Sequence, residues 1–351
     1  MTMVFYIWFL ASLIVAAAGP SFLTLAPIPT PRRGSVGGIL DNEEGIPEVW
    51  VVGGSNSEIK GKDVGKSVEV YNTASDKWRE EDPMPISRSD HGAAPVLSKL
   101  YVAGGMSSCL HPQGGNICNI SDVSVYDSIE KTWSEVAPMQ IARRGLALAG
   151  DDESGLLYAL GGMDCMDNCY GLPVAYLTTA EVYDVKTNTW EFLPPMNVGR
   201  RDLGAAIVQG KLYAVGGCGG DGSELDYKHC EASNTVEMYD PMIKTWTLMN
   251  PLLVPRHGFA TGIYGDSQMI IAGGSSANGI DATDAKTNLT VTVDSYDSLN
   301  DGWYSIASMP DPRDGLMKGY GLITGTTMFL VSGSTADADY VDTNEIITLR
   351  C

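Results

Sequence analysis

VYDSIEKTWSEVAPMQIARRG, residues 125–145, carries a Tyr, a Trp seven residues later and an Arg ten residues beyond that: Tyr126, Trp133 and Arg143. The same spacing recurs four more times, as Tyr71–Trp78–Arg88, Tyr183–Trp190–Arg200, Tyr239–Trp246–Arg256 and Tyr296–Trp303–Arg313. Ahead of each copy lies a short apolar run closed by two glycines: VWVVGG to Gly54, LYVAGG to Gly105, LYALGG to Gly162, LYAVGG to Gly217 and MIIAGG to Gly274. A degenerate sixth copy reads MFLVSGS around Gly333. A unit of roughly 55 residues repeated in this way cannot bury its own faces and must stack on its neighbours. Within each unit, short apolar runs separated by turn residues predict four strands. Forty glycines among 351 residues suit many turns rather than long helices.

The Gly-Gly, Tyr and Trp triplet resembles the kelch repeat, over essentially the whole chain after its first residues. The resemblance implies an all-β fold, a six-bladed kelch β-propeller in the superfamily of the galactose oxidase central domain. Each blade would be a four-stranded sheet with strand A at a central channel and strand D outside. NEIITLRC, residues 344–351, matches strand C of the last blade, with Ile347 at the Tyr position. FLTLAPIPTPRRG, from Phe22, aligns with WSEVAPMQIARRG and places Phe22 at the Trp position and Arg32 at the Arg position. An N-terminal strand is therefore expected to complete the last blade and cover its open edge. The expected organisation is a signal peptide over residues 1–18 and one propeller over 19–351.

The leader is read from Val4 to Ala18, an almost unbroken apolar run of h-region length followed by small residues suited to cleavage. No later stretch approaches spanning length, so no membrane span is expected after cleavage. Seven cysteines fit an oxidising compartment, and six form close pairs: Cys109 with Cys118, Cys165 with Cys169, and Cys218 with Cys230. These pairs are expected to be disulfides that brace the loops between strands B and C, while Cys351 is left over. Asn119-Ile-Ser and Asn288-Leu-Thr are glycosylation sequons. Together these features predict a secreted or extracellular glycoprotein, expected to be a monomer. The net charge of -20 argues against a nucleic-acid surface.

Nine of the eleven arginines nevertheless fall at one set of junctions, where strand D leads into the next strand A. The first position of the junction holds Arg32, Arg88, Arg143, Arg200, Arg256 and Arg313; the second holds Arg33, Ser89, Arg144, Arg201, His257 and Asp314. Guanidinium groups grip carboxylates, phosphates and sulfates bidentately, so a ring of them at a channel mouth can bind anions. Kelch proteins resembling this chain use such arginines for acidic peptide motifs, and the resemblance implies ligand contacts at Arg33, Arg88, Arg143, Arg144, Arg200, Arg201, Arg256, His257, Arg313 and Asp314. A competing reading pairs each first-position Arg with an acid two residues before the Tyr: Glu69, Glu181, Glu237, Asp294 or, in the last blade, Glu345. Under that reading the first ring is scaffold and ligand contact falls to the second, above all to Arg144 and Arg201. Asp90 and Asp202 stand next in line where other copies have Gly.

No nucleophile motif, phosphate-cradling loop or zinc spacing occurs. Asp221, Glu224, Asp226 and His229 share one loop but lack the four-residue register of the iron-binding kelch specifier proteins, so no metal or other cofactor is expected. The Tyr-His dipeptide of a galactose oxidase copper centre is missing too. The expected function is a non-catalytic binding propeller for an acidic protein segment or an anionic glycan. The alternative is a secreted carbohydrate-active enzyme, an epimerase or mutarotase like the bacterial sialate mutarotase, using Arg, Asp and His at the same mouth.

Overall fold

Residues 20–59, 61–108, 117–164, 175–219, 231–276, 288–313, 323–335 and 340–349 are described by the computed structural model. Where the sequence alternates small or apolar residues between turn signals, the chain runs as antiparallel strands of mostly four to six residues. Six four-stranded sheets result among the described residues, each in the order A-B-C-D of sequential hairpins except the last. Strand A is Val36–Asp41, Gly92–Val96, Ala147–Asp151, Gly204–Val208, Ala260–Tyr264 and Ile323–Thr324 in sheets one to six. Strand B is Pro47–Val52, Lys99–Ala103, Leu156–Leu160, Lys211–Val215, Gln268–Ala272 and Thr327–Val331. Strand C is Val68–Asn72, Val123–Asp127, Ala180–Asp184, Val236–Asp240, Thr292–Asp297 and Asn344–Thr348. Strand D is Lys77–Glu81, Thr132–Val136, Thr189–Phe192, Thr245–Met249 and Gly302–Ser308 in the first five sheets. In the sixth it is Ser21–Thr24, which pairs antiparallel with Asn344–Thr348 and sets Phe22 opposite Ile347. That is the register in which Trp78 faces Tyr71 and Trp133 faces Tyr126.

The core lies between sheets. Strand B is buried on both faces: Val49, Val51, Leu100 and Val102 on one face have no exposed surface, and Trp50, Val52, Tyr101 and Ala103 on the other at most 3%. Tyr71 and Met328, Phe329 and Leu330 belong to one apolar cluster, which joins the first sheet to the sixth. Neighbouring sheets are also stitched by side chains of the repeat. Each strand-D Trp stacks on its Tyr at 5.0–5.3 Å between centroids. Its indole N–H then donates to a carbonyl at the end of the preceding sheet. Trp78 reaches Ala26 at 2.8 Å, Trp133 Asp82 at 3.0 Å, Trp190 Ala137 at 2.8 Å, Trp246 Pro194 at 2.8 Å and Trp303 Asn250 at 3.1 Å. The Tyr–Trp pair therefore supplies both apolar area and a fixed inter-sheet tether.

The glycine pairs are dictated by backbone conformation. Gly53 and Gly54 take φ of 59° and 97°, both in the left-handed region, and a Cβ on Gly54 would stand 2.9 Å from the Arg33 carbonyl. This close approach turns strand B back at the face where strand D feeds the next strand A.

Candidate functional site

The junction arginines are built into the sheets rather than displayed. All six at the first position have at most 1% of their surface exposed. Arg32 pairs with Glu69 at 2.6 Å, Arg143 with Glu181 at 2.5 Å and Arg256 with Asp294 at 2.6 Å. Arg200 pairs likewise with Glu237, and Arg313 with Glu345. Four of these reach further to backbone carbonyls, as Arg143 does to Gly161 at 2.9 Å and Thr179 at 3.0 Å and Arg200 to Gly216 at 3.1 Å and Thr235 at 2.7 Å, while Arg313 reaches the Thr343 hydroxyl at 2.6 Å. The guanidinium thus ties the first residue of the Gly pair to the start of strand C. Burial pulls these arginines below their ordinary pKa, while the paired acids hold the charge in place.

Sheet two departs from the pattern. Ser124 occupies the acid position, and Arg88 donates to its Oγ at 3.0 Å and to the Asp122 carbonyl at 3.0 Å. Ser124 in turn donates to Glu135 Oε1 at 2.8 Å, so the acid comes from the facing residue of strand D. Burial lowers the Arg88 pKa to about 10, which still leaves it charged at neutral pH. The expectation of ligand contacts at Arg88, Arg143, Arg200, Arg256 and Arg313 is therefore corrected: their buried geometry is that of scaffold.

The second-position residues lie one layer nearer solvent and pair with the chain just after each Gly pair. Arg33 bridges to Ser55, Ser89 to Met106, Arg144 to Met163, His257 to Ser275, and Arg201 to Cys218. The third position links one junction to the next: Asp90 donates its backbone N–H to the Gly34 carbonyl at 3.1 Å, Gly145 to Asp90 at 2.7 Å, Asp202 to Gly145 at 2.7 Å and Gly258 to Asp202 at 3.1 Å. Asp90 and Asp202 hold φ of 52° and 53°, the conformation that Gly34, Gly145 and Gly258 adopt without a side chain. Two carboxylates are thereby held at a mouth where a Gly would be conformationally easier.

These second-position side chains meet different fates. Arg201 is half-buried and donates to Asp202 at 2.6 Å. Burial pulls its pKa down, but Asp202, Tyr176 and Asp90 together hold it above the ordinary value. Arg144 is half-buried with Nη1 against Met106 Sδ, and His257 is buried at 5% exposure. Arg33 is exposed, makes no ion pair among the described residues, and lies 5.7 Å above the Tyr340 ring. Asp314 lies outside the described residues.

Arg33 borders a groove of about 430 Å³ that runs between sheets one and two toward the loop carrying Tyr340. Ser55, Ser57, Ser89 and Ser107 contribute hydroxyls to its walls, and Lys62 a second cation. Ser57 donates its backbone N–H to the Tyr340 hydroxyl at 3.1 Å, which fixes the ring beneath Arg33. Lys62 is partly engaged, at 2.8 Å from Glu80 and 3.6 Å from Glu69. Among the described residues of the inner strands, Val36, Ala93, Leu146, Leu148 and Phe259 line a cavity of about 20 Å³, room for roughly a water.

Repeat alignment pointed to Arg33 but not to Tyr340, Ser57 or Ser107, which sit in loops after the Gly pairs where copies differ most. Of the cysteines, Cys118 and Cys218 are described; Cys109, Cys165, Cys169, Cys230 and Cys351 lie outside the described residues, as do Asp221, Glu224, Asp226 and His229. Among the described residues no group of three metal-ligating side chains forms. Asn288 is exposed, whereas Asn119 is half-buried and donates its side-chain amide to Met163 at 3.0 Å.

Fold and site together define a β-propeller with a structural arginine ring and a polar groove on one face. The kelch motif profile matches residues 47–85, 87–140, 154–197 and 199–253, and the chain belongs to the kelch-motif family. It is 27% identical over 269 residues to Kelch-like protein 25 of Xenopus tropicalis, covering 75% of this chain and 39% of that protein. It is 26% identical over 251 residues to Alpha-scruin of Limulus polyphemus, covering 71% of this chain and 25% of that one. The chain thus spans less than half the length of these relatives. A solved structure titled "Structure of YjhT" superposes with a TM-score of 0.69 at 16% identity, over 93% of this chain and 97% of the other, and shows the shared fold. No helix among the described residues is long and apolar enough to cross a membrane.

Proposed function

We propose that this chain is a secreted, non-catalytic protein-binding propeller that recognises an acidic segment of a partner protein in the Arg33 groove. The observation that carries the reading is the contrast between the two arginine positions. The first is neutralised inside the fold; Arg33 is exposed, without an ion pair among the described residues, and held over an aromatic ring in a groove lined by serines. A guanidinium so placed suits a carboxylate, the serines add neutral donors, and the one acid of the described lining, Asp63, already accepts from Ser87 at 2.7 Å. Secretion is supported by the apolar run from Val4 to Ala18, the paired cysteines and the exposed sequon at Asn288. In this reading the cysteine pairs are disulfides that brace loops of sheets two, three and four.

The test titrates a labelled, capped hexaglutamate peptide into the protein and its Arg33→Glu variant. A chain of net charge -20 repels such a peptide except at a dedicated site. Arg33→Glu is expected to weaken binding at least tenfold while leaving the melting temperature unchanged. Arg143→Leu strands Glu181 and is expected to cost about 3–5 kcal/mol of stability. Equal binding by the wild type and Arg33→Glu defeats the proposal. Preference for a sulfated oligosaccharide over the peptide would transfer the groove to glycans.

A further inference from the structure

The packing between sheets five and six departs from the rule that holds elsewhere in the ring. At every other interface, an aromatic residue of strand B meets the strand-C Tyr of the next sheet. Between ring centroids, Trp50 lies 4.7 Å from Tyr126, Tyr101 5.9 Å from Tyr183, Tyr213 5.6 Å from Tyr296 and Phe329 6.2 Å from Tyr71. Tyr158 and Tyr239 share one apolar cluster. Between sheets five and six the two positions hold Ile270 and Ile347, so neither ring is present. Strand C of sheet five departs as well. Val70, Val125, Val182 and Met238 stand beside the strand-B aromatic in sheets one to four, whereas Ser295 stands beside Ile270.

Smaller side chains on both sides leave a pocket of about 290 Å³, walled by Ile270, Ile306 and Leu349 together with the rings of Tyr264 and Tyr304. An apolar cavity of about 150 Å³ already holds a benzene ring. Tyr304 is 55% exposed, so it borders the opening instead of filling the space. Gln268 and Ser295 add an amide and a hydroxyl to the lining. The Ser295 hydroxyl stands 3.5 Å from Gln268 Oε1, long for an O–H···O bond. An apolar slot with an open side and a few polar groups is the form that small-molecule sites take.

We propose that this pocket binds a small phenol, its ring in the slot that a tyrosine fills in sheets two, three and four and its hydroxyl bonded to the Gln268 side-chain amide. The ring takes up the apolar contact that Ile270 and Leu349 leave unmade, and Tyr264 and Tyr304 give it aromatic neighbours. Gln268 favours a hydroxyl over a bare hydrocarbon, because a methyl packed against its amide leaves that amide without a partner. None of these residues belongs to the Arg33 groove.

p-Cresol, the tyrosine side chain without its backbone, tests this by titration followed through the δ1-methyl resonances of ¹³C-labelled isoleucine. Ile270 and Ile306 are assigned from the signals lost in Ile270→Val and Ile306→Val. Saturable shifts of both are expected, with a dissociation constant of about 1 mM or below, while Ile129 and Ile207 stay still. Toluene and 4-methylcyclohexanol are each expected to bind at least threefold more weakly, and Gln268→Leu to erase the preference over toluene. Ile270→Tyr restores the ring of the repeat. Read at Ile306, it is expected to weaken p-cresol binding at least tenfold without lowering the melting temperature. Should that variant not fold, Ser295→Met, which takes the sheet-four residue at this position, is expected to weaken binding as strongly. Arg33→Glu is expected to leave binding unchanged. Motionless Ile270 and Ile306 signals, or undiminished binding by the slot-filling variant, overturns the proposal. Equal affinity for all three ligands overturns the assignment to phenols.

Discussion

His91 occupies a position filled by Leu146, Leu203 and Phe259 in the following sheets, and like them it is buried, at 1% exposure. Burial, with the nearby Arg88 charge, holds its pKa well below the ordinary value, so the folded protein keeps the ring neutral. The unfolded chain takes up a proton there near pH 6.5, and the folded chain does not. Stability from this residue is therefore complete above about pH 6.5 and falls by up to about 1.4 kcal/mol per pH unit below it, until the folded pKa is reached. His91→Leu is expected to remove that slope and to gain about 1 kcal/mol at pH 7 by replacing a buried polar ring with the residue the repeat prefers. Urea denaturation of both proteins at pH 7.5 and pH 5.0 checks this: a stability difference that does not widen at the lower pH would contradict it.

The turn between strands C and D shows how the repeat works as an element. Five residues after each Tyr the backbone is left-handed, at Asp76, Lys131, Asn188, Lys244 and Asp301, with φ between 46° and 55°. Where this residue is Asp or Asn, it accepts from the Tyr hydroxyl at 2.7–2.8 Å and from a backbone N–H of the preceding sheet at 2.8–3.0 Å. Lysine can do neither and tolerates this conformation less well. Lys131→Asn is therefore expected to stabilise by about 1–2 kcal/mol, since it offers acceptors to the Tyr126 hydroxyl and the Asp82 N–H. The pair it loses with Glu43 is exposed and contributes little. Lys244→Asn is expected to gain less, because the counterpart of Asp82 is Pro194, which has no N–H to give. Thermal melts of the two variants rank them; a larger gain at Lys244 would refute the account. The Tyr-to-Trp spacing made the strands and their register legible, because a large buried pair must recur at a fixed interval. The turn bonds were not legible, since Asp, Asn and Lys all satisfy a polar surface pattern.

At the scale of the whole molecule, the arginines illustrate what a single chain can and cannot disclose. Their spacing located every junction, and the acids two residues before each Tyr named the partners that bury them. The exception, Ser124, hid its acid across the strand pair at Glu135. The groove was harder to foresee. The repeat favoured Arg144 and Arg201 over Arg33, and only the fold sets them against Met106 and Asp202 while leaving Arg33 exposed. Tyr340 belongs to the degenerate sixth copy, in the loop between its two aligned stretches. That sixth sheet also bears the seam of the ring. Its outer strand, Ser21–Thr24, is held by four residue pairs with Asn344–Thr348, and the segment continues inward through Leu25 and Ile28, which donate to Asn344 at 2.8 Å and Asp342 at 2.9 Å. A variant lacking Ser21–Thr24 loses these strand bonds at roughly 1 kcal/mol each. It also loses the burial of Phe22 against the last sheet, about 1–2 kcal/mol for a partly covered ring. A loss of about 4–6 kcal/mol is a large part of the stability of a typical domain, and it bares the edge of Asn344–Thr348 to pairing with other chains. The expected outcome is a clearly lowered melting temperature together with concentration-dependent association in light scattering. A truncated protein that melts within two or so degrees of the parent and stays monodisperse would show that the seam is not what closes the ring.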